Sequence, residues 1–148
     1  MNIHTVILAA GEGSRMLSNK AKSLQPLGGH SMLERIYSTA YSITNETSFV
    51  VGYEKDSVIE EIKKFEGIIH IADQKKAIGT ADAVKCALPK ISNNHMVLVL
   101  YGDVPLITEK SLKKLIKNFK KNNSGSMIAF KTLKYNTTSI ETTEAHEA

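Results

Sequence analysis

Short apolar runs alternate four times with segments whose apolar residues recur at helical spacing. The runs, rich in β-branched residues, predict strands at residues 3–9, 48–52, 68–72 and 96–100. Continuously apolar strands are typical of a parallel sheet that is covered on both faces and joined by right-handed crossovers. The sequence therefore predicts an α/β fold, a three-layer sandwich with a mostly parallel sheet.

Capping residues mark where the helices between these strands begin. Ser31, Asp56 and Thr108 precede helical patterns, and a further helix is expected from about Thr80 to Leu88, where Pro89 ends it. The pattern after Asp56 continues to Phe65. We expect a fifth strand at residues 126–132.

The last segment has a different composition. From Tyr135 onward there is no lysine or arginine, threonine and glutamate recur, and Ile140 is the one aliphatic residue apart from alanine. This composition is typical of a frayed or disordered tail. We therefore expect a domain at residues 1–134 and a disordered tail at 135–148.

Composition narrows the class of protein. Hydrophobic residues make up 42% of the 148 residues, a normal share for a globular domain, and the single cysteine, Cys86, allows no disulfide framework. No apolar run reaches the roughly 18 residues that a membrane span needs, and the first residues lack the features of a signal peptide. We expect a cytoplasmic protein without a membrane partner.

The net charge of +4 does not indicate a nucleic-acid partner. Arg15 and Arg35 are the only arginines among 19 basic residues, and the chain has no tryptophan. The densest lysine stretch, residues 110–121, alternates with apolar residues at helical spacing, which is typical of a solvated helix face. We expect no nucleic-acid binding.

A glycine loop follows the first strand, in the segment LAAGEGSRM at residues 8–16. Gly11 and Gly13 let the backbone turn sharply, its N–H groups can surround phosphate oxygens, and Arg15 adds a fork of donors. The glycines alone are equally compatible with a plain turn. A dinucleotide fingerprint would need glycine in place of Met16, and the Gly-Lys-Ser/Thr of a P-loop is absent.

Polar residues also follow the later strands, where ligands bind in parallel sheets. Asp103 can bind Mg²⁺ or can simply form a turn. Lys22 can neutralise a phosphate or can be an ordinary surface lysine. Gln74 can offer its amide to a base, while Gly79 and Thr80 can bind a ribose or phosphate or merely cap the next helix. The five histidines show no metal-ligand spacing.

Together these motifs resemble a known family. The ordered set of LAAGEGSRM, a following lysine, Gln74, Gly79-Thr80 and YGDVPL at 101–106 is similar to the N-terminal pyrophosphorylase domain of N-acetylglucosamine-1-phosphate uridyltransferases, in the sugar-nucleotidyltransferase superfamily. The resemblance covers residues 3–132. It implies a Rossmann-like fold of the nucleotide-diphospho-sugar transferase type.

The resemblance also implies site residues and a reaction. Arg15 and Lys22 would be catalytic and contact the triphosphate, Asp103 would hold Mg²⁺, and the nucleotide would contact Leu8, Ala9, Ala10, Gly11, Gly13, Lys22, Gln74, Gly79, Thr80, Tyr101, Gly102 and Asp103. The implied enzyme transfers UMP from UTP to a sugar-1-phosphate, N-acetylglucosamine-1-phosphate by this resemblance, and releases pyrophosphate. Its product, UDP-N-acetylglucosamine, is a cell-wall precursor.

Two alternatives stay open because this family's domain is longer than 148 residues. The later part of that domain carries the sugar-binding residues and a second metal ligand, an asparagine. The chain is therefore an enzyme, a nucleotide-binding module without turnover, or a half-domain that needs a partner chain.

Overall fold

The structure, a computed structural model, describes residues 2–12, 20–122, 128–134 and 137–143. The chain divides into two compact units, Met1–Ile107 and Thr108–Ala148. Each unit is described by itself. Among the described residues, no helix is both long enough and apolar enough to cross a membrane.

The first unit alternates strands and helices as predicted. Its elements in chain order are β1 (Ile3–Leu8), β2 (Pro26–Leu27), β3 (His30–Ser31), α1 (Met32–Tyr41), β4 (Glu46–Val51), α2 (Lys55–Ile62), β5 (Ile68–Asp73), α3 (Thr80–Ala87) and β6 (Met96–Tyr101). Single 3₁₀ turns lie at Lys22–Leu24 and Leu88–Lys90. The small β2–β3 hairpin, not predicted, turns at Gly28 and Gly29, which both have positive φ.

The main sheet contains β5, β4, β1 and β6 in that order, and all its pairings are parallel. This confirms the predicted α/β class. The chain runs from β1 to β4 and β5 on one side and then returns to β6 on the other side of β1. The strand order therefore reverses at β1, and a crevice opens at the carboxyl ends of β1 and β6, where open α/β sheets bind their ligands.

Burial matches the prediction for the central strands and differs for β6. Ile7 in β1 and Phe49 and Val50 in β4 are completely buried. Along β6 burial alternates, so that Val97 and Val99 are more than a third exposed. Successive side chains of a strand point to opposite faces, and one face of β6 is only partly covered.

The helix starts show which capping predictions hold. Ser31 accepts a hydrogen bond from the Glu34 backbone N–H at 3.0 Å and caps α1 as predicted. The prediction for Asp56 was wrong, because α2 begins at Lys55 after Glu54, which adopts a left-handed backbone. Asp56 lies within the first turn, where a negative charge still favours the positive helix end.

Aromatic side chains join α1 to β4 and to the chain after α2. The Tyr37 ring stacks on Phe65 at a centroid distance of 4.5 Å and contacts Phe49 at 5.5 Å. The Tyr37 hydroxyl donates a hydrogen bond to the Glu66 carbonyl oxygen. Burial raises the pKa of Tyr37 to about 12, because the buried phenolate would lose its hydration. The phenol therefore stays protonated in the folded chain at pH values where an exposed tyrosine ionises.

This shift makes the fold sensitive to alkali. The unfolded chain loses the Tyr37 proton near pH 10, whereas the folded chain holds it to about pH 12. We expect the free energy of unfolding to fall over that range, with Tyr37 contributing about 2 kcal/mol of the loss. Urea titrations at pH 9 and 11.5 measure this, and Tyr37→Phe removes the contribution. An equal loss in wild type and Tyr37→Phe would contradict it.

The second unit contains α4 (Glu109–Asn122), β7 (Ile128–Lys134) and β8 (Thr137–Thr143). Thr108 accepts a hydrogen bond from the Ser111 backbone N–H at 3.2 Å, as its predicted capping role requires. Strands β7 and β8 pair antiparallel. Part of the expected tail is thus a strand, since its threonines and Ile140 are β-branched and suit an extended backbone. Residues 144–148 lie outside the described chain, and a domain boundary at 134 stays a prediction.

Candidate functional site

A cavity of about 270 Å³ lies at the carboxyl ends of β1, β5 and β6, where the strand order reverses. It is lined by Leu8, Ala9, Ala10, Gly11, Lys22, Ser23, Gln74, Ala77, Gly79, Thr80, Ala83, Tyr101 and Asp103. The structure thus brings together all the sequence-predicted site residues that it describes, apart from Gly102. Gly13 and Arg15 belong to residues 13–19, which lie outside the described chain.

Gly102 lies directly behind the cavity wall. Its backbone N–H donates to the Leu8 carbonyl oxygen at 2.9 Å and so extends the pairing of β1 with β6. A Cβ atom at Gly102 would lie 3.0 Å from that oxygen and 3.3 Å from the Ser23 Cβ. A residue without a side chain is therefore required for β1, β6 and the 3₁₀ turn to approach this closely.

The charged groups at the cavity mouth form one ion pair. The Lys22 ammonium lies 2.5 Å from Asp103 Oδ2, and this ion pair joins the 3₁₀ turn at Lys22–Leu24 to the loop after β6. Both side chains are about a third exposed, so solvent screens their attraction and the pair contributes little to stability. Incoming phosphates or a cation can therefore separate the two groups at small cost.

The amide of Gln74 is held in one orientation. Its Nε2 donates to the Gly79 carbonyl oxygen at 3.1 Å and to Asp82 Oδ2 at 2.9 Å. Both partners only accept hydrogen bonds, so they assign the NH₂ group to this position and leave Oε1 as the acceptor. Gln74 is 7% exposed and thus has few other arrangements.

Sequence reasoning missed four residues of this region. Ser23, Ala77 and Ala83 line the cavity, and Asp82 orients Gln74. The Ser23 hydroxyl is buried and has no hydrogen-bond partner among the described residues. Only Asp82 carried a signal, as an acidic residue in the first turn of a predicted helix; small side chains on a cavity wall leave no pattern in a sequence.

The chain matches the model of the MobA-like NTP transferase domain over residues 5–136. The chain belongs to this family. Its membership confirms the prediction of a nucleotidyltransferase domain.

Curated relatives make the resemblance more specific. The bifunctional protein GlmU of Coxiella burnetii is 40% identical over 129 residues, which cover 87% of this chain and 28% of that protein. GlmU of Halorhodospira halophila is 44% identical over 115 residues, 77% of this chain and 24% of that protein. The chain therefore spans about a quarter of the length of these relatives, within the part that the sequence motifs indicated.

Solved structures support the fold. A nucleotidyl transferase from Methanothermobacter thermautotroptrophicus superposes with a TM-score of 0.69 at 20% identity over 78% of this chain and 57% of its own. CMP:2-keto-3-deoxy-manno-octonic acid synthetase complexed with CTP gives 0.66 at 20% identity, covering 83% and 49%. A Mycobacterium tuberculosis protein in complex with manganese gives 0.61 at 18% identity, covering 79% and 59%.

We predict that Gly102→Ala destabilises the first unit. The new methyl group would press on the Leu8 carbonyl and on Ser23, and overpacking of this kind costs about 1–3 kcal/mol. Urea unfolding measures the loss. Gly11→Ala is the matched control, because none of the described residues has an atom within 4 Å of a Cβ there. Equal stability of the two variants would show that the contact at Gly102 is not tight.

Proposed function

We propose that this chain is the uridylyltransferase part of a UDP-N-acetylglucosamine pyrophosphorylase. In this proposal it binds UTP with Mg²⁺, transfers UMP to N-acetylglucosamine-1-phosphate and releases pyrophosphate. The observation that carries the proposal is the meeting of Lys22, Asp103 and the loop after β1 at one cavity mouth. The identity to GlmU proteins supports the choice of substrates.

The residues at the mouth fit a magnesium ion. Mg²⁺ prefers oxygen ligands and is commonly held by one or two carboxylates together with substrate phosphates and water. Asp103 supplies a partly exposed carboxylate beside the cavity, and its present partner Lys22 is a partly exposed cation that a metal ion can replace. When bound there, the ion would neutralise phosphate charge and orient the triphosphate.

The proposed reaction depends mainly on the positioning of the two substrates. A phosphate oxygen of the sugar-1-phosphate attacks the α-phosphorus of UTP, and the bond to the β-phosphate oxygen breaks to release pyrophosphate. The attacking oxygen is already anionic, so no general base is needed. Lys22, released from Asp103, would be available to contact the phosphates, and backbone N–H groups of the loop after β1 would stabilise the charge that develops on them.

The orientation of Gln74 supports uracil as the base. With both amide hydrogens donated to Gly79 and Asp82, its Oε1 is left to accept a hydrogen bond. Uracil N3 carries a hydrogen to donate, whereas cytosine N3 is itself an acceptor and would be opposed by Oε1. A site whose polar group is fixed in this way discriminates strongly against the wrong partner.

Asp103→Asn should remove the metal dependence of nucleotide binding. Asparagine keeps the shape of the side chain but loses the negative charge, so Mg²⁺ no longer gains from this ligand. We expect titrations of UTP with and without Mg²⁺ to give affinities that differ at least tenfold in wild type and less than threefold in the variant, since one charged contact is worth about 1.5–3 kcal/mol.

Asp73→Asn is the matched control for this experiment. Asp73 is the last residue of β5 and, like Asp103, pairs with a lysine: Lys55 lies at 3.0 Å, and the hydrogen bond and charge of Asp73 raise the pKa of Lys55. It does not line the cavity described above. If Asp103→Asn keeps the full metal dependence of wild type, Asp103 does not hold the ion.

Asp82→Asn should weaken the choice of base. Asparagine can donate to Gln74 Oε1 as well as accept from Nε2, so only the Gly79 carbonyl oxygen still favours the present orientation of the amide over the one that offers Nε2 to cytosine. We expect the ratio of UTP to CTP affinity to fall about tenfold, the effect of one hydrogen bond of roughly 1.4 kcal/mol. Asp56→Asn, also in the first turn of a helix, is the control and should leave the ratio unchanged. An unchanged ratio in Asp82→Asn would remove Gln74 from base selection.

The whole proposal is tested by pyrophosphate release from the purified chain with UTP, Mg²⁺ and N-acetylglucosamine-1-phosphate. Release that depends on the sugar phosphate supports the transferase. UTP binding without release contradicts it and favours a nucleotide-binding module. Release only when a second polypeptide is added favours a half-domain, an alternative that rests on the short share of each GlmU relative that this chain spans.

A further inference from the structure

Three histidines and a glutamate meet at the amino end of the main sheet, the end opposite the cavity. His4 lies in β1, Glu46 begins β4, His70 lies in β5, and His95 directly precedes β6. Three of the four therefore come from different strands, and the fourth lies directly before another strand. The strands are parallel, so their first residues share one edge of the sheet, and residues far apart in sequence become neighbours there.

The nitrogen atoms of this histidine cluster converge on the carboxylate. His4 Nδ1 lies 3.2 Å from Glu46 Oε1, His95 Nε2 lies 3.8 Å from Oε2, and His70 Nε2 lies 3.9 Å from Oε1. One ligand atom each from His4, Glu46 and His95 fall within 4.8 Å of one another. Ligands of a tetrahedral zinc ion with bonds of 2.0–2.1 Å lie about 3.3 Å apart. Small side-chain adjustments thus suffice to enclose an ion.

The surroundings of His4 are suited to binding a cation. The side chain is completely buried, and its Nε2 lies 2.8 Å from Ser48 Oγ. Its Nδ1 has no hydrogen-bond partner among the described residues, although Glu46 Oε1 is near. If the proton is on Nε2 and is donated to Ser48, the Nδ1 lone pair faces a carboxylate oxygen, an arrangement that a positive ion between them would stabilise.

The remaining features also suit a metal ligand. The bond from Nε2 to Ser48 would fix the ring orientation, as partners of metal-bound histidines usually do. Glu46 and His70 are partly exposed, which leaves a path for an ion from the solvent.

We propose that His4, Glu46 and His95, together with His70, form a binding site for zinc or a similar divalent metal ion. Imidazole nitrogens with one carboxylate are ligands that zinc accepts and that magnesium does not favour. An ion held there would cross-link the first residues of β1, β4 and β5 to the residue before β6. The role of the ion would be structural, because it would bind the folded chain and not the unfolded chain.

The test uses the full chain, free of any affinity tag and stripped of metal with a chelator. We expect one zinc per chain to remain after addition of ZnCl₂ and desalting, and Tm to rise by about 5 °C or more in excess zinc. The same concentration of MgCl₂ should not reproduce the rise. Co²⁺ should give the visible absorption of a four-coordinate site, a measurement that needs no variant.

Variants then assign the ligands. Glu46→Gln keeps the side-chain shape, and we expect it and His95→Ala each to lose the bound zinc and the rise in Tm. His30→Ala is the matched control, because His30 also lies beside a carboxylate, at 2.7 Å from Glu34, but outside the cluster. The His30→Ala variant should keep both the bound zinc and the rise in Tm. Asp103→Asn should also keep both, which separates this site from the nucleotide site.

Two results would overturn the proposal. One is a wild-type chain that retains no zinc and shows no change in Tm. The other is a His95→Ala chain that retains as much zinc as His30→Ala, which would place the metal elsewhere.

Discussion

The position of β1 between β4 and β6 determines where the groups of the candidate site lie. Ala9 donates its backbone N–H to Val50 on one side, and Gly102 donates to the Leu8 carbonyl on the other. These two hydrogen bonds extend the sheet just past the end of β1, and the crevice begins where they stop. Asp103 is the next residue after Gly102. The hydrogen bond from Gly102 to Leu8 therefore fixes the backbone beside Asp103, and the Asp103 carboxylate contacts Lys22.

Much of this arrangement could be predicted from sequence because strong local signals agree with the fold. The apolar run of β1 predicted a buried strand, and its end at a glycine loop predicted the ligand edge. Gln74 and Asp103 were found by the same reasoning, as polar residues directly after strands. The burial of β6 was predicted less well, since a continuous apolar run does not show that one face stays partly uncovered.

The contacts between residues distant in sequence could not be predicted in this way. Nothing in the local pattern joins Lys22 to Asp103, which are 81 positions apart, and nothing joins Asp82 to Gln74 except the turn of the chain before α3. The strand β8 has a different cause. The composition of this segment predicted a frayed or disordered tail, whereas the β-branched shape of its threonines suits the hairpin with β7.

The histidines show the same limit most clearly. Spacing rules find metal ligands on one helix or one turn, but positions 4, 46, 70 and 95 meet only because four parallel strands begin at one edge. A parallel sheet thus has two edges at which distant residues converge. The carboxyl edge holds the candidate site, with the cavity at the ends of β1, β5 and β6. An ion at the amino edge would restrain the starts of the same strands without closing that crevice, so the sheet can be stiffened at one end while the other end stays free to bind.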